Sequence, residues 1–333
     1  MYLSFYDYNI LVSSNEAELV EKLKNEFHFF LKDSADPVHT ILELSLKNGP
    51  EIPPMAASKI LENCLIYNLG SRQYIDYFGK ALTIWDHQEE TIHIYCTEPE
   101  RLYELAFLSL HSLIGQELGS TGMSRVHALG VSIDRLNALI MLPSKGGKST
   151  LLKHLVENHE IKIIADDIVL IDLSGRPHPF PGKISFDSPP TEGLLKELQW
   201  QEFHRQYYPP KWVASLASLS ERIDKNTIHN KCLLYAGFRL SQGNPIISAV
   251  PMWKMLGPLF EHMILGIGLP QIIEMFLRYK WIDFIRLPYH FILRLISALQ
   301  LLRRSECYFF YLGTDKSYNA QVLLDHMYER QTR

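Results

Sequence analysis

The sequence predicts an α/β protein in two parts: a smaller α+β domain over residues 1–119, then a larger domain over residues 120–333 with a mixed sheet and helical additions. Three observations carry the prediction. First, an apolar run at residues 138–142 breaks into Pro143-Ser144-Lys145-Gly146-Gly147-Lys148-Ser149-Thr150 and resumes as a helical pattern through Leu151, Leu152, Leu155 and Val156, giving the order strand, loop, helix. Second, the β-rich run Ile161-Lys162-Ile163-Ile164-Ala165 ends in Asp166-Asp167, and another strand pattern follows at residues 168–171. Third, the first hundred residues hold short strand patterns separated by turns, and Gly119-Ser120-Thr121-Gly122 reads as a boundary.

Composition sets the limits. Of 333 residues, 47% are hydrophobic and 21% charged, which is enough apolar material for a sizeable core. A net charge of -4 argues against a general nucleic-acid-binding surface. Cys64, Cys96, Cys232 and Cys307 are far apart, show no C-x-x-C and have no histidine at zinc spacing, so reduced thiols and a cytoplasmic location are expected. The N-terminal stretch has no basic region ahead of an apolar one and does not read as a signal peptide. No run of eighteen uncharged apolar residues occurs, so no transmembrane segment is expected.

In the first part, residues 2–12 read as one strand. Ser14-Asn15 with Glu18 has capping-box character ahead of a helix through Leu19, Leu23 and Phe27. Further strands are expected at residues 40–46, 74–77, 80–86 and 91–96, together an antiparallel sheet. His28, His87 and His93 have no partner acids or cysteines at metal spacing and read as surface or core residues. A helix over residues 99–118 has proline in its first turn and an apolar stripe.

In the second part, residues 126–133 read as a strand, turned at Asp134-Arg135 into the strand that enters the loop. Backbone N–H groups of a small-residue turn and the positive end of the following helix can surround a di- or triphosphate. Gly147, Lys148 and Ser149 match the end of G-x-x-x-x-G-K-[ST], in which the lysine reaches the β/γ-phosphates and the hydroxyl ligates Mg²⁺. The cofactors expected are therefore ATP and Mg²⁺, with Ser144, Lys145, Gly146, Gly147, Lys148, Ser149 and Thr150 lining the phosphates. Asp166 and Asp167 at a buried strand end call for a cation partner, and a plain turn is the alternative.

Beyond the acids, a turn-rich segment carries Arg176 and Lys183, which either supply positive charge near a transferring phosphoryl group or are solvated loop residues. Residues 190–231 are polar and aromatic, with Pro209-Pro210 interrupting any helix. They read as a lid or acceptor-binding loop, or as surface elaboration. Strands are expected at residues 184–186, 232–240, 245–250 and 307–312, with a last helix at 319–328. A helical, apolar region spans residues 252–302, punctuated by Gly257-Pro258, Gly268, Pro270 and Pro288. With Arg278, Lys280, Arg286, Arg294, Arg303 and Arg304 it has a basic face. It packs on the sheet, docks an acidic peptide, or makes peripheral membrane contact through Trp281, Phe284 and Phe291.

His127-Ala128-Leu129-Gly130, then the PSKGGKST loop, then Ala165-Asp166-Asp167 together resemble the HPr kinase/phosphorylase family and its HPr-kinase-like relatives, including the kinases that tailor lasso peptides. That family's loop reads roughly G-x-S-G-x-G-K-S. Ser144, Gly147, Lys148 and Ser149 match it, His127 matches a histidine ahead of the loop, and Asp166 and Asp167 match the acid pair. The likeness covers residues 120–190 well and the rest in outline. Leu142 and Lys145 stand where the loop usually has glycines, and no stretch corresponds to the family's downstream E-x-R-G-x-G-[IL] signature. The relation is thus one of nucleotide chemistry and not of target.

The resemblance implies an HPr-kinase-like P-loop domain and an ATP-dependent, Mg²⁺-assisted phosphoryl transfer to a hydroxyl, first of all a serine on a peptide or small protein. It implies Asp166 as general base and Lys148 and His127 at the reaction centre, with Asp167 and Ser149 on the metal side, and the order of the two acids open to reversal. A small-molecule alcohol or sugar is the alternative acceptor. A non-catalytic nucleotide-binding module is the alternative class. A homo-oligomer is expected.

Overall fold

Residues 1–143, 145–204, 209–227, 231–277 and 281–332 are described in the computed structural model. They form a mixed α/β protein dividing into two units. One comprises Met1–Leu118, His204–Pro210 and Pro270–Pro288. The other comprises Gly119–Phe203, Lys211–Leu269 and Tyr289–Arg333. The sequence boundary after residue 119 lies next to this division. The part beyond it is not continuous, however, because residues 204–210 and 270–288 group with the first unit.

The first unit is built on strands β1 (Tyr2–Phe5), β2 (Tyr8–Ser14), β3 (Leu31–Lys32), β4 (Thr40–Leu46), β5 (Lys59–Ile60), β6 (Leu65–Leu69), β7 (Arg72–Asp76), β8 (Ala81–Asp86) and β9 (Thr91–Cys96), with helices α1 (Ala17–Glu26) and α2 (Pro99–Ser120). The strand expected over residues 2–12 is a hairpin, because Tyr6 takes a left-handed φ of 58° and folds β1 back on β2. The sheet has the order β3-β1-β2-β4-β9-β8-β7-β6-β5 and is mixed rather than antiparallel. The connection through α1 returns the chain in its original direction, so β2 pairs parallel to β4, as β4 does to β9. The capping box does not form. Ser14 Oγ accepts the N–H of Glu16 and Asn15 Oδ1 that of Leu46, leaving Glu16 to start α1.

The second unit contains β10 (Ser124–His127), β11 (Leu129–Ile133), β12 (Leu136–Met141), α3 (Lys148–Leu155), β13 (Ile161–Ala165), β14 (Ile168–Ile171), β15 (Pro177–His178), β16 (Lys183–Phe186), β17 (Gln201–Phe203), β18 (Lys211–Ser215), β19 (Lys231–Arg239), β20 (Ile246–Ala249) and α4 (Leu256–Leu259). After α5 (Ile273–Phe276), which groups with the first unit, come α6 (Asp283–Arg304), β21 (Ser305–Leu312) and α7 (Lys316–Gln331). The main sheet runs β13-β11-β12-β19-β21-β20, and a second runs β10-β14-β15. The strand expected at residues 126–133 is therefore two strands. The chain changes sheet at Ala128, β10 pairing with β14 and β11 with β12 and β13.

One further expectation changes and one holds. Within the described part of residues 190–231, β17 and β18 are strands set between 3-10 turns at Leu194–Glu197 and Leu216–Arg222; β18 pairs antiparallel with β16 and with β17, and Phe203, Ala214 and Ile184 are buried. The helical region at 252–302 breaks at the expected Gly268 and Pro270, where Gly266 and Gly268 take left-handed φ of 67° and 92°. Arg278 and Lys280 lie outside the described residues. The core between sheets and helices gathers Val126, Leu139, Val169, Leu234, Met263 and Leu301. Among the described residues no helix is long and apolar enough to cross a membrane.

Candidate functional site

Strand direction brings the motifs together. β12 and β13 both pair antiparallel to β11, so they run the same way and both end at the edge where β11 begins. The residue before Ala128 at that edge is His127, the loop from Leu142 follows β12, and Asp166-Asp167 follow β13. Motifs up to 40 positions apart thus meet at one sheet edge, all within the second unit.

Lys148, the first residue of α3, is buried. Its ammonium lies 2.8 Å from His127 Nε2, 3.1 Å from the Leu142 carbonyl oxygen and 3.4 Å from Asp167 Oδ1. His127 Nε2 is 2.9 Å from the same Asp167 oxygen. On the other side, Ser149 Oγ donates to Asp166 Oδ2 at 3.0 Å. The two acids are therefore sorted: Asp166 faces the serine, and Asp167 faces the lysine and histidine. The sequence leaves open which acid stands beside Ser149; in the structure Ser149 hydrogen-bonds Asp166.

Burial and charge separate the acids further. Asp166 is buried, its Oδ1 has no hydrogen-bond partner, and burial followed by the neighbouring Asp167 charge pushes its pKa up to about 7. For Asp167, burial acts upward, but the hydrogen bond with His127 and the Lys148 ammonium outweigh it and bring the pKa to about 2. Its side chain is 47% exposed. Burial lowers the Lys148 pKa, while Asp167 and Asp166 oppose the shift.

The loop has the geometry of an anion cradle. Gly147 takes a left-handed φ of 103° and starts α3 without a side-chain cap, so the N–H groups of the first turn, with Ser149 and Thr150, have no acceptor from their own helix. Gly146 N–H turns back to the Pro143 carbonyl at 2.8 Å, and a Cβ on Gly146 would meet that oxygen at 2.7 Å. Lys145 is exposed and adopts a φ of 61°, so a lysine holds the left-handed backbone that glycine takes without cost. Leu142 is fully buried against β19, where a Cβ on Gly237 would lie 2.3 Å from Leu142 Cδ2. The room missing at position 142 is supplied by a glycine on the neighbouring strand. Ser144 lies outside the described residues.

Two other residues lie outside this cluster. Lys183 begins β16 with its ammonium 4.3 Å from the Phe203 ring, and Arg176 sits in the turn that Asp172 organises. Lys211, at the start of β18, is the cation whose charge reaches both Lys148 and Asp166. Sequence reading also missed His262 and Gly268. The buried His262 ring is 5.6 Å from the His127 ring, and burial, then the His127 and Lys148 charges, lowers its pKa to about 4. A Cβ on Gly268 would overlap the His127 imidazole at 2.2 Å. Neither stands at a spacing that marks it, and only the fold brings them close.

The Ser149 hydroxyl and two carboxylates are hard oxygen donors, and the unpartnered, buried Asp166 Oδ1 is a vacant acceptor position suited to Mg²⁺. Among the described residues no group of three or more His, Cys, Asp or Glu is arranged to hold a metal alone, so such an ion needs ligand phosphates and water to complete its shell. No family model matches the chain, and no curated protein shows significant similarity to it.

Proposed function

We propose that the second unit binds Mg-ATP and transfers its terminal phosphoryl group to a hydroxyl, the chemistry of the HPr-kinase-like proteins that its motifs resemble. The observation that carries this reading is the meeting of Lys148, Ser149, His127 and both acids at one sheet edge beside an uncapped helix start. Catalysis of this type is mostly positioning and charge neutralisation. Backbone N–H groups in the first turn of α3 and the Lys148 ammonium hold the phosphates. Ser149 and Asp166 hold the ion, which when bound neutralises charge on the transferring group. Asp167, ionised and half exposed, accepts the acceptor hydroxyl's proton, and His127 keeps its carboxylate in place.

A second assignment has its own support. Asp166, with a pKa of about 7, has the proton affinity suited to a general base at neutral pH, leaving Asp167 to the metal side. The acceptor we favour is a serine on a peptide or small protein, with a small-molecule alcohol next.

Calorimetric titration of Mg-ATP tests the binding step. The wild type should bind, and Lys148→Ala, still folded by circular dichroism, should lose at least about tenfold in affinity, since one charge-assisted contact contributes roughly 1.5–3 kcal/mol. A folded wild type that binds neither ATP nor GTP would sink the proposal. With γ-labelled ATP and a panel of serine peptides and sugars, Asp167→Asn should abolish transfer while Mg-ATP still binds. The opposite result, transfer lost only in Asp166→Asn with binding intact, would hand the base role to Asp166.

A further inference from the structure

α6 is held to the second unit by one face and leaves the other uncovered. Ala298, Leu301 and Leu302 enter the core, and Arg294 reaches inward to donate to the Ile264 carbonyl at 2.9 Å. The opposite face, from Tyr289 through Ile292 and Ile296 to Leu299, repeats at three- and four-residue steps, Leu295 widens it, and Phe291, seven residues before Ala298, is exposed on the inward side. All six are between 39% and 53% exposed. A wide apolar stripe open to water is costly unless something covers it.

Charge indicates what covers it. α6 has no acidic residue after Asp283, which is buried, and the exposed Arg303 and Arg304 close its C-terminal end. Residues 252–304 contain seven Lys and Arg against three Asp and Glu, in a chain of net charge -4. In the same unit Trp253 and Phe260 are exposed too, with Lys254 beside the Trp253 ring. A second copy of this helix would bring only like charge to the face. A peptide helix would need a groove, whereas the structure shows only half-exposed side chains along one helix face. Aromatic and aliphatic groups closed by the exposed Arg303 and Arg304, with no acid on α6 after Asp283 and with Glu261 exposed beside Phe260, match the interface of an anionic bilayer.

We propose that this face of α6 rests on an anionic lipid bilayer, its apolar side chains in the acyl boundary and Arg303 and Arg304 among the headgroup phosphates. The site lies in the same unit as the nucleotide site but does not depend on it. The test is co-sedimentation of the full chain with vesicles of phosphatidylglycerol and phosphatidylcholine, without nucleotide. The wild type should pellet with anionic vesicles, more weakly as salt rises, and at least about tenfold more weakly as the double variant Ile292→Asp/Ile296→Asp. Both positions are exposed, so the variant should keep the wild-type circular dichroism and melting temperature. If it does not, Arg303→Glu/Arg304→Glu takes its place with the same expected loss. Three outcomes overturn the proposal: no pelleting of the wild type, equal pelleting with pure phosphatidylcholine, or a concentration-dependent dimer that the Asp variants dissolve while vesicles bind nothing.

Discussion

Asp166 and Asp167 are neighbours in sequence and opposites in chemistry. Asp166 keeps its proton up to about pH 7, while an unfolded chain releases it near the ordinary value of 3.8. Its folded pKa is raised, so the stability it contributes is fully present below about pH 4 and is lost as pH rises through about 7. Asp166→Asn removes that loss and should stabilise the metal-free protein at pH 8 by on the order of 1–4 kcal/mol, with little gain at pH 4. Thermal unfolding across that range, with and without Mg²⁺, checks it, and added Mg²⁺ should stabilise the wild type more than the variant. Asp167 has the opposite sign: its stabilisation holds above about pH 4 and fades as pH falls toward 2. The nature of this pair was legible in the sequence, since two acids at a buried strand end need partners. Which acid faces which partner was not, because the bend after Ala165 that sets it is made by tertiary pairing.

At the level of elements, the loop and its helix were readable because strand, turn and helix start are local features. The change of sheet at Ala128 was hidden, as residues 124–133 are all buried and nothing in their pattern marks where one pairing ends. Parallel partners such as β19 were hidden for a similar reason: the Leu142–Gly237 fit joins positions 95 apart. That fit predicts coupling. Gly237→Ala should cost about 1–3 kcal/mol through overpacking, and Leu142→Ala about 2–5 through the space it leaves. Together they should cost less than their sum, by about 0.5–3 kcal/mol, and a urea-unfolding double-mutant cycle measures the difference.

For the whole molecule, the division of the chain places every candidate site residue in one unit. Hydrogen exchange with Mg-ATP should therefore slow at residues 127–128, 142–152 and 165–168, and the nine-stranded sheet of the first unit should be unchanged. Equal protection across that sheet would contradict a site confined to the second unit. The alternation of strand and helix patterns foretold a mixed α/β chain. It did not foretell that residues 270–288 would group with the first unit, because that grouping depends on contacts such as Gln73 Nε2 with the Leu277 carbonyl, 204 positions along the chain.

The Lys148 amine is already in contact with three protein groups, the Leu142 carbonyl, the Asp167 carboxylate and His127 Nε2. Any phosphate that takes it must win an exchange, releasing Leu142, His127 and Asp167 from the same ammonium. The resting arrangement is thus a latch as well as a site. On the function proposed above, a phosphate entering the loop would break contacts that join the ends of two sheets, and Asp167 would lose its lysine in the same step.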